Sequence, residues 1–236
     1  MSGHSKWSTI KRAKGVADAK RSQIFTKLAK GISVAAKGGA DVAMNSKLRL
    51  AVERARSMSM PKDNIERAIQ KGAGGGEGVS LEEVRYEAYG PGGVAFLIDT
   101  LTNNHNRTSA NVRHLLERHG GRLAEAGSVA WMFAIKGLIL IPTPPNRDEV
   151  ELALIEAGAD DFVERESELE IKCAPGDFET IKAKLTELGI TPAYSSIEPV
   201  AKTTVAVEGN TLQQLESLRE VLDEDEDVTD LFDNEA

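Results

Sequence analysis

Apolar side chains in the first third of the chain recur at the spacing of amphipathic helices and predict three short helices. The first begins near Ser22 and ends at the glycine pair 38–39. At about 100° per residue, its apolar side chains gather on one side and its lysines on another. The second predicted helix spans residues 45–56, and the third runs from Pro61 to a stop at Gly72. We predict that the three helices pack as one small basic bundle.

A different pattern follows, in which short apolar runs predict strands. Residues 84–89 and 94–101 are predicted strands around the Gly-Pro-Gly-Gly turn at 90–93, and a helix over 108–119 comes next. Further along, the predicted order is strand, helix, strand, strand, helix, strand over residues 138–141, 147–157, 161–164, 169–173, 177–188 and 193–197. This βαββαβ order is typical of a ferredoxin-like fold. The remaining segments, at 203–207, 210–222 and 228–232, are predicted to complete the earlier ββα sheet.

The sequence therefore predicts an α+β protein of three domains. A basic tail and helical domain occupies residues 1–77, a discontinuous α/β domain occupies 78–132 plus 201–236, and an inserted ferredoxin-like domain occupies 133–200. The first 21 residues hold six basic and few apolar side chains, so we expect them to form a mobile tail. The glycine-rich residues 72–78 are expected to act as a flexible hinge.

Charge is distributed very unevenly along the chain. Residues 1–76 hold 16 Lys and Arg against 5 Asp and Glu, a net of +11, and residues 77–236 hold 13 against 32, a net of −19; together they give −8. Surface lysines are usually no more than a solvated face, but a regional excess of this size favours a polyanion-binding segment. Both DNA and RNA satisfy this requirement. The sequence leaves the oligomeric state open.

We identify a tryptophan and a set of basic residues as the candidate nucleic-acid-binding residues. Trp7 either stacks on a base or anchors the tail to its own domain. In the loop at 102–108, Thr or Asn side chains can cap the following helix, and Arg107 can meet a phosphate near its positive end. The full set is Lys6, Trp7, Lys11, Arg12, Lys14, Lys20, Arg21, Lys27, Lys30, Lys47, Arg54, Arg107 and Arg113.

The sequence lacks the motifs of the common catalytic and cofactor sites. It has no phosphate-binding P-loop or Rossmann fingerprint, and its four histidines, at 4, 105, 114 and 119, lack metal-ligand spacing. The single cysteine, Cys173, excludes a disulfide framework and is interpreted as a small buried residue. No apolar run is long enough to span a membrane. We expect a cytosolic, non-enzymatic protein with no cofactor, metal, membrane partner or small-molecule substrate.

Five consecutive acidic residues at 223–227 follow a predicted helix and lie at the unfavourable end of its dipole. The favoured interpretation is a solvated face that aids solubility. The alternative is that this cluster competes with nucleic acid for the basic tail when no ligand is bound.

Several motifs, in order along nearly the whole chain, resemble the YebC/PmpR family. They are Gly-His-Ser-Lys-Trp at 3–7, Ile-Phe-Thr-Lys at 24–27, Met-Pro-Lys-Asp-Asn-Ile-Glu-Arg-Ala-Ile at 60–69, Tyr-Glu-Ala-Tyr-Gly-Pro-Gly-Gly at 86–93, Asn-Arg-Thr at 106–108, Gly-Ser-Val-Ala-Trp-Met-Phe at 127–133 and Asp-Val-Thr-Asp-Leu-Phe-Asp-Asn at 227–234. Asn103 departs from the aspartate expected in the family's Thr-Asp-Asn loop.

This resemblance implies a helical N-terminal domain, a central α/β domain and an inserted ferredoxin-like domain. It also implies a regulator of gene expression without enzymatic chemistry. Bacterial relatives of this kind are described as probable DNA-binding transcriptional regulators, which is the first interpretation here. A mitochondrial relative activates translation, and ribosome-associated members relieve stalling at proline-rich nascent sequence. The alternative is therefore a translation factor that binds ribosomal RNA.

Overall fold

The structure is a computed structural model that describes residues 18–74, 81–165 and 167–236. It is a mixed α+β fold, as the sequence predicts. The helices are α1 (Asp18–Ala36), α2 (Ser46–Ser57), α3 (Lys62–Ala73), α4 (His105–Arg118), α5 (Arg147–Glu156), α6 (Phe178–Glu187) and α7 (Gly209–Glu224). The strands are β1 (Glu82–Tyr89), β2 (Ala95–Thr102), β3 (Arg122–Ala124), β4 (Phe133–Pro142), β5 (Ala159–Arg165), β6 (Glu168–Cys173), β7 (Tyr194–Ala201) and β8 (Val228–Asp233).

The three N-terminal helices pack through the apolar stripes that predicted them. Their shared core includes Ile32 of α1, Leu48 and Val52 of α2, and Ile65 of α3, all of them buried. Helix α1 begins at Asp18, so residues 18–21, which were expected to belong to a mobile tail, are helical. This part of the tail prediction is wrong because the polar first turn of α1 continues a helix that is anchored by packing further along.

The first sheet has the strand order β3-β1-β2-β8 and antiparallel pairing throughout. Strand β8 comes from the C-terminal end of the chain and pairs with β2, so distant segments complete one sheet, as predicted. Helices α4 and α7 contribute buried residues to a core on one face of the sheet, where they meet side chains of β1 and β2. Residues 203–207, predicted as a strand, contribute only an isolated bridge between Val205 and Glu235.

The second sheet has the strand order β5-β6-β4-β7 and belongs to a compact unit formed by residues 134–200. With α5 after β4 and α6 after β6, this is the predicted ferredoxin-like βαββαβ arrangement. Its buried side chains include Ile139 and Ile141 of β4, Leu154 of α5, and Phe178 and Ile181 of α6. Leu152 and Ile155 of α5, in contrast, are exposed.

The other compact unit contains the described residues up to Phe133 together with Ala201–Ala236. The three helices and the first sheet, predicted as separate domains, lie in this one unit, and α1 contacts β8 within it. The expected hinge residues 75–78 lie outside the described residues. None of the helices in the described ranges combines the length and apolarity that crossing a bilayer needs.

Candidate nucleic-acid interface

The predicted binding residues fall into three groups. Lys6, Trp7, Lys11, Arg12 and Lys14 lie outside the described residues, and Lys20 lies in α1 with its side chain outside them. Three residues have exposed side chains that face solvent on separate helices, and four approach the acidic C-terminal part of the chain. The exposed residues are Arg21, Lys47 and Arg113, and the second set is Lys27, Lys30, Arg54 and Arg107.

Helix α1 directs two lysines toward the acidic residues after α7. The Nζ of Lys27 donates a hydrogen bond to the main-chain carbonyl of Asp223. One helical turn later, Lys30 Nζ donates to the carbonyl of Glu226 at 2.8 Å and lies 3.6 Å from the carboxylate of Asp227. Burial lowers the pKa of Lys27 below its usual value, although Asp223 and Asp225 act in the opposite direction. The spacing of three residues therefore brings both ammonium groups to one acidic segment.

Helix α2 makes a corresponding contact through Arg54. Its guanidinium reaches both carboxylate oxygens of Asp230 in β8, with Nη1 and Nη2 each 3.1 Å from one oxygen. The Nη1–Oδ2 contact is a hydrogen bond, whereas the Nη2–Oδ1 contact is an ion pair without hydrogen-bond geometry. A cation of the three N-terminal helices α1–α3, which we call the helical layer, is thereby linked to β8, the last strand of the first sheet.

The loop between β2 and α4 is arranged mainly by its own side chains. Asn104 is the N-cap of α4, and its Oδ1 accepts from the backbone N–H of Arg107 at 3.1 Å. The neighbouring Asn103 accepts from Arg107 Nη2, also at 3.1 Å. The helix begins at His105, so the prediction that it starts at Thr108 is wrong. The cause is that Asn104 caps the helix several residues earlier than the apolar pattern indicates.

The carboxylate of Asp227 accepts hydrogen bonds from two side chains of α4, a guanidinium and a hydroxyl. Arg107 Nη2 lies 2.7 Å from Asp227 Oδ2, and Thr108 Oγ1 donates to the same oxygen at 2.8 Å. Burial would raise the pKa of Asp227, but the hydrogen bonds from Arg107 and Thr108 outweigh it and hold that pKa below its ordinary value. Arg107, expected to contact a phosphate, thus has an internal carboxylate as its partner.

Residues 223–230, which we call the acidic strap, are therefore a component of this region; they comprise the end of α7, the following turn and the start of β8. The sequence singled out residues 223–227 as a possible competitor for the basic tail, but not their contacts with α1, α2 and α4. They contain six carboxylates. The strap contacts α1, α2 and α4 through the groups described above, and Asn111 of α4 additionally donates to Asp225. Asp223, Glu224 and Glu226 are exposed, as the solvated-face interpretation expects, but the interpretation is wrong for Asp227, which is largely buried beneath its partners. The dense charge at the unfavourable end of α7 was the available signal.

Several exposed cations of the helical layer were not in the predicted set. Lys37 follows α1, and its Nζ lies 3.3 Å from the carbonyl oxygen of Leu81, while Arg56 lies in the last turn of α2 and Lys71 in the last turn of α3. Their side chains are exposed to solvent. Together with Lys47 they spread positive charge over all three helices. This distribution is suited to contact with phosphates rather than with the edges of bases.

The cysteine and two of the histidines in the described ranges occupy different environments. Cys173 is fully buried, and burial raises the pKa of its thiol to about 11, which makes it a poor nucleophile. His119 Nδ1 lies 2.8 Å from the carbonyl of Leu115 within its own helix, and His114 is exposed. In the part of the chain that the structure describes, no three His, Cys, Asp or Glu residues are grouped as a metal site would require.

The sequence of this chain is similar to those of known proteins along nearly its whole length. Residues 5–75 match the TACO1/YebC protein N-terminal domain, and residues 81–235 match the TACO1/YebC second and third domain. A probable transcriptional regulatory protein from Desulforamulus reducens is 46% identical over 99% of this chain and 98% of its own. Another, from Trichlorobacter lovleyi, is 49% identical over 98% of this chain and 93% of its own.

A solved structure has the same fold. The crystal structure of a conserved hypothetical protein from Aquifex aeolicus superimposes with a TM-score of 0.83 and is 38% identical in sequence. The similarity covers 93% of this chain and 91% of the other. The agreement therefore extends over nearly the whole chain and is not confined to one domain.

Proposed function

The chain belongs to the TACO1/YebC family, and we propose that it is a cytoplasmic, non-enzymatic regulator of gene expression that binds nucleic acid through its basic N-terminal part. The names of its relatives support a regulatory role in transcription, and control of transcription through DNA binding is the function we favour. The proposal needs no cofactor, metal or small-molecule substrate.

The observation that carries this proposal is the concentration of cations on the helical layer. Residues 18–74 alone hold 12 Lys and Arg against 5 Asp and Glu, a net of +7. Lys47, Arg56 and Lys71 are exposed on this layer. Cations in such numbers gain affinity for a polyphosphate by releasing its condensed counterions. We expect the predicted tail residues, which precede α1, to extend the same surface.

A second candidate is a translation factor that binds ribosomal RNA. The exposed cations are spread over α2, α3 and the end of α1 instead of lining one helix that enters a major groove. Contacts of this kind recognise phosphates and overall shape, which is how proteins commonly bind structured RNA. Co-sedimentation with ribosomal particles that is lost at high salt supports this candidate, whereas sequence-dependent promoter binding supports the first.

The test compares two variants that change the net charge equally. Lys47→Gln/Arg56→Gln removes exposed cations of α2, and Lys136→Gln/Lys184→Gln removes half-exposed cations of the inserted unit. Binding of full-length protein to a labelled DNA duplex and to a labelled single-stranded RNA is measured by anisotropy over a range of salt concentrations. We expect only the α2 variant to make the negative slope of log K against log salt shallower. The change should be about 0.9 per lost contact on duplex DNA and about 0.7 on a single strand.

The tail is tested separately by Lys6→Glu, Lys11→Glu, Arg12→Glu and Lys14→Glu together, which should weaken either complex. Unchanged affinity would remove the tail from the binding surface. If the unmodified protein shows no salt-sensitive binding to DNA, RNA or ribosomes, the proposed function is wrong.

A further inference from the structure

The acidic strap, residues 223–230, lies against cations from three separate helices. Lys27 and Lys30 of α1 donate to strap carbonyls, Arg54 of α2 pairs with Asp230, and Arg107 of α4 pairs with Asp227. The strap therefore contacts the same helical layer that carries the excess of positive charge. All four of these cations belong to the nucleic-acid-binding set predicted from the sequence, and Arg107 in particular was expected to meet a phosphate.

These contacts have the chemistry of a complex with a polyanion. A carboxylate and a phosphodiester oxygen compete for the same guanidinium fork and the same ammonium group. Asp227 receives Arg107 Nη2 at 2.7 Å and the Thr108 hydroxyl at 2.8 Å, and Lys30 Nζ lies 3.6 Å from its other oxygen. Three donors from two helices thus converge on one internal anion, in the manner in which they would surround a phosphate.

The contacts are also placed where an incoming ligand can compete for them. The side chain of Arg107 is 54% exposed even while it is paired, and those of Lys30 and Arg54 are 25% and 31% exposed. The carboxylates of Asp227 and Asp230 are only 15% and 16% exposed, so a ligand competes from the cationic side, chiefly at Arg107, where water and salt screen the pair. A polyphosphate can therefore approach Arg107 first and replace the carboxylates and carbonyls of the strap as partners of these cations, while residues 228–230 remain paired with β2 in strand β8.

We propose that the acidic strap is a built-in competitor that covers part of the cationic surface, and that nucleic acid displaces it on binding. The inference rests on the proposed function, because it assigns a regulation to that same surface. In the free protein the strap neutralises Lys30, Arg54 and Arg107 and suppresses weak contacts with unsuitable polyanions. Only a ligand that engages the exposed cations as well, such as Lys47, gains enough affinity to open it.

The test neutralises the two strap carboxylates that meet arginines and compares them with two exposed carboxylates elsewhere. Asp227→Asn/Asp230→Asn is matched by Asp148→Asn/Glu156→Gln on α5, so both variants of the full-length protein change the net charge by the same amount. The probes are a labelled 20-nucleotide RNA and a labelled 20-base-pair DNA duplex, each titrated over a range of salt concentrations.

We expect the strap variant to bind about three- to tenfold more tightly than the control variant. Its dependence on salt should also differ: because less of the cation set is neutralised in the free protein, the slope of log K against log salt should become steeper for the strap variant alone. Equal affinity and equal slope in the two variants would overturn the strap proposal while leaving the proposed function intact. Loss of all salt-sensitive binding by the unmodified protein would instead overturn the proposed function.

Amide hydrogen exchange of the unmodified protein decides the question if the strap variant does not fold. The backbone N–H groups of Asp227 and Val228 both donate to Asp225 Oδ1 within the strap. Saturation with the RNA or DNA probe should make these two amides exchange faster, while amides in the β1–β2 pairing keep their protection. Unchanged or slower exchange of Asp227 and Val228 in the complex would overturn the proposal.

Discussion

Gly72 is required by the close approach of α3 to α1 and not by the end of α3. The sequence pattern placed the stop of the third helix at this glycine, but the helix continues to Ala73. A Cβ at position 72 would lie 2.1 Å from the carbonyl oxygen of Ser33 and 2.8 Å from Ala36 Cβ, both on α1. The absence of a side chain therefore allows the two backbones to pack in contact.

Replacing Gly72 by alanine should destabilise the protein even though alanine is the better helix former. We expect a loss of about 1–3 kcal/mol in the free energy of unfolding, because α3 must move away from α1 to make room for the methyl group. Gly31→Ala in α1 is the matched control, since a Cβ there has no neighbour within 4 Å. It should stabilise by about 0.5–1 kcal/mol. Urea unfolding measures both, and a neutral Gly72→Ala would contradict the packing argument.

At the scale of elements, a single carboxylate of β1 fixes the segment that connects β3 to β4. The side chain of Glu87 accepts backbone hydrogen bonds from Gly127, Val129 and Ala130 at 2.6, 2.6 and 2.8 Å. Its burial would raise the pKa of Glu87, but these three bonds to the charged form outweigh burial and lower the pKa. The charged carboxylate is therefore a structural part of the connection.

Glu87→Gln should destabilise the protein by about 1–3 kcal/mol at neutral pH, because an amide group cannot accept from all three N–H groups. The pKa of Glu87 is depressed in the folded state, so its contribution is present above the unfolded pKa of about 4.3 and is lost as the pH falls through the folded pKa. Urea unfolding at pH 7 and in acid, with Glu156→Gln as control, should show the difference from wild type shrinking at the lower pH. A difference that stays constant would contradict this assignment.

The sequence predicted the elements and the sheets that they form, but not the side-chain contacts between them. Periodicity is a local property, so the N-terminal helices and the βαββαβ order could be read directly from it. The predicted start of a strand was wrong where a glycine that looked like a boundary was in fact required by contacts with distant residues. Strand β4 begins at Phe133, before its predicted start at Leu138. Gly137 looked like a strand boundary but lies inside the strand, where a Cβ would approach Cys173 Sγ to 2.5 Å, so the glycine is required by packing. The partner of Arg107 is Asp227, which lies 120 residues away, and no spacing rule connects them.

For the molecule as a whole, positive charge is concentrated in the N-terminal helices and negative charge in the inserted unit. Residues 18–74 have a net charge of +7, whereas residues 134–200, the inserted unit, hold 6 Lys and Arg against 14 Asp and Glu, a net of −8. A polyphosphate is attracted to the first and repelled by the second at distances up to about one Debye length. The inserted unit should therefore stay free of nucleic acid whichever nucleic acid the protein binds.

Lysine footprinting of the full-length protein tests this division. An amine-reactive reagent is applied with and without saturating DNA or RNA, and the modified positions are read by mass spectrometry. We expect protection of Lys47 and Lys71 on the helical layer, because phosphates would cover their ammonium groups, and unchanged reactivity of Lys136 and Lys184 in the inserted unit. If the acidic strap is displaced on binding, Lys30 exchanges one anionic partner for another and remains protected throughout. Protection at Lys136 and Lys184 with none at Lys47 would place the interface on the wrong unit and contradict the electrostatic argument.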